Sequence, residues 1–167
     1  MASSGQKQME GKVAFVTGAA RGIGRAACVA LAREGAAVAG ADIEGPVSST
    51  LEVEPATSDE LAETGRLVEA SGGRWLGERL DQRDIAAARR VAEKAATTFG
   101  GIDILFANAS IQTFKPILAM DDADWQDTID VNLTGNMNVL RAVTPHIVKR
   151  GSGSIIITSS KIGRAHV

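Results

Sequence analysis

Val13-Ala14-Phe15-Val16-Thr17-Gly18-Ala19-Ala20-Arg21-Gly22-Ile23-Gly24 is the most informative stretch of this chain. The apolar run 13–16 has the length and content of a buried strand. It feeds a turn with three glycines, and a helix rich in Ala, Leu and Arg follows. Glycine lets the backbone approach a ligand closely, and a helix N-terminus offers unpaired N–H groups at a positive dipole end. A strand, turn and helix of this kind can cradle a phosphate. The spacing is Gly18-x-x-x-Gly22-x-Gly24 rather than G-x-G-x-x-G. Taken alone, it also suits a tight turn that merely needs small residues.

Outward from that turn, strand and helix signals alternate. The first helix spans 22–34 and closes at Gly35; a second apolar strand, 36–42, ends in Asp42. Residues 43–57 are irregular, with Gly45, Pro46 and Pro55. A helix over 58–70 opens at Ser58, where Leu61 three positions on denies it the Glu of a capping box. Gly72-Gly73 breaks it, and 74–80 is a third strand. Asp84 caps a helix over 85–99, and 102–107 is a fourth strand. A long helix covers 122–149, with Pro145 placed to kink or divide its last turn. Residues 154–159, SIIITS, form a fifth strand. Alternation of this kind predicts an α/β fold: a doubly wound, Rossmann-like parallel sheet of order 3-2-1-4-5 that stops after strand 5. Such sheets bind ligands beyond the carboxyl ends of their strands, where the order reverses.

Bulk properties exclude several classes. The 167 residues are 44% hydrophobic and 23% charged, with a net charge of −2. That is an ordinary globular composition, with no electrostatic case for nucleic acid or an anionic membrane surface. The single cysteine, Cys28, cannot form an internal disulfide, which fits a reducing compartment. Residues 1–10 are polar and lack the apolar core of a signal peptide, and no apolar run reaches membrane-spanning length. The expectation is a cytoplasmic protein: a flexible tail over 1–10 and one dinucleotide-binding domain over 11–161. No metal site is expected.

Asp42 sits close to the ~20-residue offset at which a carboxylate receives the adenosine ribose hydroxyls in dinucleotide folds. It would repel a 2′-phosphate by roughly 1–4 kcal/mol at a few ångströms. That favours NAD over NADP, whereas Arg21 in the turn argues weakly the other way. A solvated strand-end carboxylate is the plainer alternative for Asp42.

The turn TGAARGIG, the strand-end Asp42, Leu80-Asp81, Asn108-Ala109-Ser110, Asn132 and Ser159-Ser160 follow in order from about Gly11 to Ser160. Together they resemble the short-chain dehydrogenase/reductase family. The resemblance implies that Gly18, Arg21, Gly22, Ile23, Gly24, Asp42, Asp81, Gln82, Asn108, Ala109 and Ser110 hold the cofactor. It implies catalytic roles for Ser160, which would bond the substrate oxygen, and for Asn132, which would order a water toward a catalytic lysine. Each also has a plainer reading. Asp81 suits a helix N-terminus, Asn132 a buried bond to a neighbouring turn, and the serine pair a turn. Ser110 stands where the family has glycine, so a positive φ there would be strained.

The activity implied is hydride transfer between a nicotinamide and an alcohol or ketone carbon, in a parent that forms a homo-oligomer. The connection over 44–57 resembles that of members oxidising carveol-like secondary alcohols. The family's proton donor is a tyrosine whose phenol, ionising near ~10 unaided, needs a lysine four residues on. This chain contains no tyrosine, so the chain as given is expected to be inactive. The alternatives are a dinucleotide-binding module without chemistry and an NADP-dependent reductase. Residues 162–167, IGRAHV, are also the translation of ATC GGA AGA GCA CAC GTC, a string found in sequencing-adapter DNA, and are expected to be a non-native tail. The fifth strand would then be an exposed, β-branched edge prone to association.

Overall fold

The computed structural model describes residues 7–48 and 54–159. Five strands form one sheet: β1 (Val13–Thr17), β2 (Ala37–Asp42), β3 (Trp75–Arg79), β4 (Ile104–Ala107) and β5 (Ser154–Ile157). Every pairing is parallel and the order is β3-β2-β1-β4-β5. Phe15 lies beside Ala39 and Leu105 in register. The expected topology is therefore the one observed.

Side chains alternate across each strand, so successive residues serve opposite layers. Phe15, Ala39 and Leu105 pack beneath α3 (Ile85–Phe99) and α5 (Asn136–Arg150), against Val91, Val139 and Val143. Val16, Val38 and Phe106 face α1 (Gly22–Arg33) and α2 (Ser58–Ala70), against Cys28, Leu61 and Val68. Burial of each large side chain contributes roughly 1.5–3 kcal/mol. Cys28 acts here as a small apolar residue, and burial pushes its thiol up to about 12.

At the amino ends of the strands the buried Asp103 gathers the chain. Its Oδ2 accepts the Val13 N–H at 2.9 Å, its Oδ1 accepts Arg150 Nε–H at 3.1 Å, and Lys12 Nζ lies 3.7 Å away. The amino end is closed by this cluster.

Two local readings need correction. Helix α2 does have a capping box, set one residue earlier than Ser58. Thr57 is extended (φ −110°, ψ 160°), its hydroxyl accepts the Glu60 N–H, and the Glu60 carboxylate accepts the Thr57 N–H. The long helix is divided in its middle, into α4 (Asp122–Ile129), a π-helical turn (Asp130–Gly135) and α5. Pro145 sits inside α5, which continues through it to Arg150. Ser110, where a positive φ would be strained, does not adopt one: among described non-glycine residues only Glu44 has positive φ, at 51°.

β5 is half exposed on both faces, with Ile155, Ile156 and Ile157 each 43–51% accessible. Among the described residues no strand pairs with its outer edge.

Candidate functional site

A cleft of about 610 Å³ opens at the carboxyl ends of the strands, beside the reversal between β1 and β4. Gly18, Arg21, Ile23, Asp42, Asp81, Gln82, Asn108, Ala109 and Ser110 line it. Gly22 and Gly24 belong to the turn without lining the cleft, and Asn132 stands one contact behind its wall. Ser160 lies outside the described residues.

The three glycines do different work. At Gly24 a Cβ would overlap the carbonyl oxygen of Gly18, so helix and turn are in backbone contact. Gly18 has φ +68°, and a Cβ there would meet Asn108 Nδ2 at 2.9 Å. Gly22 has φ +56° and faces open space. The turn is thus packed tightly on its inner side and left clear on its outer side.

Helix α1 begins differently from the helices around it. Side chains of Thr57, Asp84 and Asp121 cap α2, α3 and α4. The N-cap of α1 is Arg21, which makes no side-chain cap, and the first turn holds no acidic residue. Its N–H groups are therefore available to an anion, and the dipole favours one. An outward-facing glycine and an uncapped helix end fit a phosphate.

Asp42 has each carboxylate oxygen held by a backbone donor. Oδ2 accepts the Ala20 N–H at 2.9 Å and Oδ1 the Ile43 N–H at 2.8 Å. An ionised carboxylate retains further lone pairs, so Asp42 can still receive hydroxyl donors from the cleft. Arg21 Nη2 donates to the Glu54 carbonyl at 2.7 Å. It holds the far end of the β2–α2 connection, whose Pro46, Val47, Pro55 and Ala56 also line the cleft. Ser48 reaches across and donates to Asp127 on α4.

Asp81 and Arg83 form a bidentate pair at 2.7–3.0 Å. Burial pushes the Asp81 carboxyl up. The hydrogen bonds and charge of Arg83 outweigh burial and hold it below the usual carboxylate range. The same partnership raises Arg83. Asp81 is thus an anion at neutral pH with its charge already matched.

The β4 end is fixed by residues that sequence reading missed. Thr17 Oγ1 accepts the N–H groups of Asn108 (3.0 Å) and Ala109 (3.1 Å), while Asn108 Nδ2 donates to the Thr17 carbonyl. Thr158 donates to Asn108 Oδ1 at 3.2 Å. Asn132 clamps the next residue of this wall: its Oδ1 accepts the Ile111 N–H at 2.9 Å, and its Nδ2 donates to the Ile111 carbonyl at 2.8 Å. Asn138, which matches no motif, is buried and donates to the carbonyls of Gln82 and Arg83. Its signal is an asparagine on the apolar stripe of a helix, beside Val139 and Ala142. Among the described residues no group of His, Cys, Asp and Glu could hold a metal, and no helix is long and apolar enough to cross a membrane.

Known proteins resemble this chain in sequence and fold. The model of the short chain dehydrogenase family matches residues 12–167. An uncharacterized NAD-dependent oxidoreductase of Mycobacterium tuberculosis is 44% identical over 156 residues, covering 93% of this chain and 57% of the relative. (−)-trans-Carveol dehydrogenase of Rhodococcus erythropolis is 39% identical over 160 residues, with coverage of 93% and 57%. Among solved structures, a short chain dehydrogenase from Mycobacterium paratuberculosis bound to NAD superposes with TM-score 0.89 at 41% identity, covering 91% of this chain and 56% of the other. Carveol dehydrogenase from Mycobacterium avium in complex with NAD gives 0.88 at 40% identity, with coverage of 92% and 56%. The chain spans a little over half the length of these relatives. With its sheet order, its glycine turn and the match over residues 12–167, the chain belongs to the short chain dehydrogenase family.

Proposed function

We propose that the cleft binds NAD and that the chain supplies the cofactor-holding part of an oxidoreductase acting on an alcohol or ketone. When bound, NAD would supply the hydride acceptor or donor. The observation that carries this reading is Asp42, a cleft-lining carboxylate fixed at the end of β2 by two backbone N–H groups. It suits a diol donor and opposes a 2′-phosphate by roughly 1–4 kcal/mol. Arg21, the residue that could have favoured NADP, bonds the Glu54 carbonyl instead. NAD in the names and solved complexes of the relatives supports the same choice.

The site supports a division of roles. The uncapped α1 turn would take the pyrophosphate, Asp42 the adenosine ribose, and Asp81 the region beyond it. Asn108, Ala109 and Ser110 would form the wall at β4. Asn132 would keep that wall in place through Ile111. Ser160 would bond the substrate oxygen. Likeness to carveol dehydrogenases points to secondary alcohols as the substrate class. The 167 residues contain no tyrosine, so the proton step assigned to that residue has no donor among them, and binding without turnover is expected of them.

Calorimetric titration tests the reading. NAD should bind the 167-residue chain at least about tenfold tighter than NADP, the difference that ~1.4 kcal/mol of repulsion gives. Asp42→Ala should remove most of that preference. Equal affinity for the two cofactors in the unaltered chain, or an unchanged preference in the variant, would take the discriminating role from Asp42.

A further inference from the structure

Gln82 joins three segments at the inner wall of the cleft. It is 5% exposed. Its Nε2 donates to the carbonyl of Ala109 at 3.1 Å and to that of Val131 at 2.8 Å. Ala109 belongs to the β4 wall, and Val131 to the π-helical turn. Its own carbonyl accepts from Asn138 at 3.1 Å. Against it Gly135 has no side chain, and a Cβ there would fall 2.6 Å from Gln82 Cγ.

We propose that Gln82 is a positioning residue for the cleft: through the Ala109 and Val131 carbonyls it sets the distance between the β4 wall and the π-helical turn carrying Asn132. Gln82 thereby fixes where Ala109, Ser110 and Ile111 stand. The proposal rests on the NAD reading for its consequence in binding, though not for its geometry.

Three observations converge on it. A primary amide has two N–H donors, and both are spent here, one on each segment. A π turn departs from the regular helical hydrogen-bond ladder, so a side chain can enter and use a backbone carbonyl. The Val131 carbonyl is used in this way. Asn132, the next residue, makes the second stitch to the same wall by its paired bonds to Ile111. Gln82 and Asn132 therefore hold one loop from two adjacent points of one turn. A purely apolar strut would fill the space without bridging. Moreover, Gln82 Oε1 is buried with no hydrogen-bond partner among the described residues. An unmatched acceptor is a cost that a residue kept only for packing would avoid.

The test compares amide hydrogen exchange and NAD affinity in the 167-residue chain and in Gln82→Met, which keeps bulk and loses the bridge. Local loosening should speed exchange at the Ile111 amide about tenfold. The Asn108 and Ala109 amides, held by Thr17, should stay within about twofold. The NAD dissociation constant, measured well below the unfolding temperature, should rise about tenfold. Gly135→Ala, which pushes on Gln82 from the other side, should give the same pattern and serves where Gln82→Met fails to fold. Uniform acceleration of exchange through β1 and β4 would make Gln82 a stability element only and overturn the proposal, as would unchanged Ile111 protection. Should the unaltered chain not bind NAD, the cofactor reading fails while the exchange pattern still decides the positioning role.

Discussion

Single residues set what this site can accept, and glycine shows it most sharply. The pattern Gly18, Gly22, Gly24 is legible as a tight strand-to-helix turn, but the separate duties are not, because they depend on what each absent Cβ would meet. Gly24 touches backbone that cannot yield: a methyl group would overlap the Gly18 carbonyl oxygen. Gly22 faces open space and needs only its φ of +56°. Thermal or urea unfolding should therefore separate them. Gly24→Ala should cost about 3 kcal/mol or more, at the upper end of overpacking penalties. Gly22→Ala should cost about 1–2 kcal/mol, the strain of a left-handed L-residue. Equal losses would mean that the turn relaxes and that the Gly18–Gly24 contact is unimportant. The strand end at Asp42 is readable, since the apolar run 36–41 stops there. Thr17, Gln82 and Asn138 are not readable as a hydrogen-bonded frame. Their partners lie 27–92 residues away in sequence, and nothing local to them announces those partners.

Elements are legible where periodicity is strong and less so where long-range partners decide the backbone. All five strands and the helices α1, α2 and α3 lie where apolar spacing and glycine breaks put them, with ends moved by one or two residues. The α2 cap is easily misplaced because Ser58 is a plausible cap in sequence, whereas the extended backbone of Thr57 places the true one a residue earlier. The π-helical turn is not legible in sequence, because the contacts around it are long-range: Gln82 donates to the Val131 carbonyl, and the Asn132 side chain bonds both backbone groups of Ile111. β5 carries a consequence of its own. Ile155, Ile156 and Ile157 are about half exposed beside an edge with no strand partner among the described residues. Such an edge templates pairing. Sedimentation velocity across a concentration series should show the 167-residue chain associating, and Ile156→Lys should shift it toward monomer. A chain that stays monomeric at every concentration would remove the edge as a source of association.

Across the whole molecule, the candidate site lies at one end of the sheet. The amino end is closed by the buried Asp103 with Lys12, Arg150 and the Val13 N–H. At the carboxyl end the cleft opens, with an uncapped helix and Asp42 at its wall. This polarity follows from topology: right-handed parallel crossovers leave a crevice only where the strand order reverses. The alternation of strands and helices makes that end readable from the residues alone. The contribution of residues 43–48 and 54–56 to the cleft is not readable in this way, because an irregular connection has no periodicity to place it. Occupancy of this carboxyl-end cleft by NAD is what the functional reading stands on. An NMR titration of the 167-residue chain with NAD addresses it without intermediaries. Saturable shifts are expected at Gly18, Asp42, Asp81 and Ala109, with Lys12 and Asp103 unmoved. No saturable shift, or shifts centred on the amino end of the sheet, would refute NAD binding in this cleft.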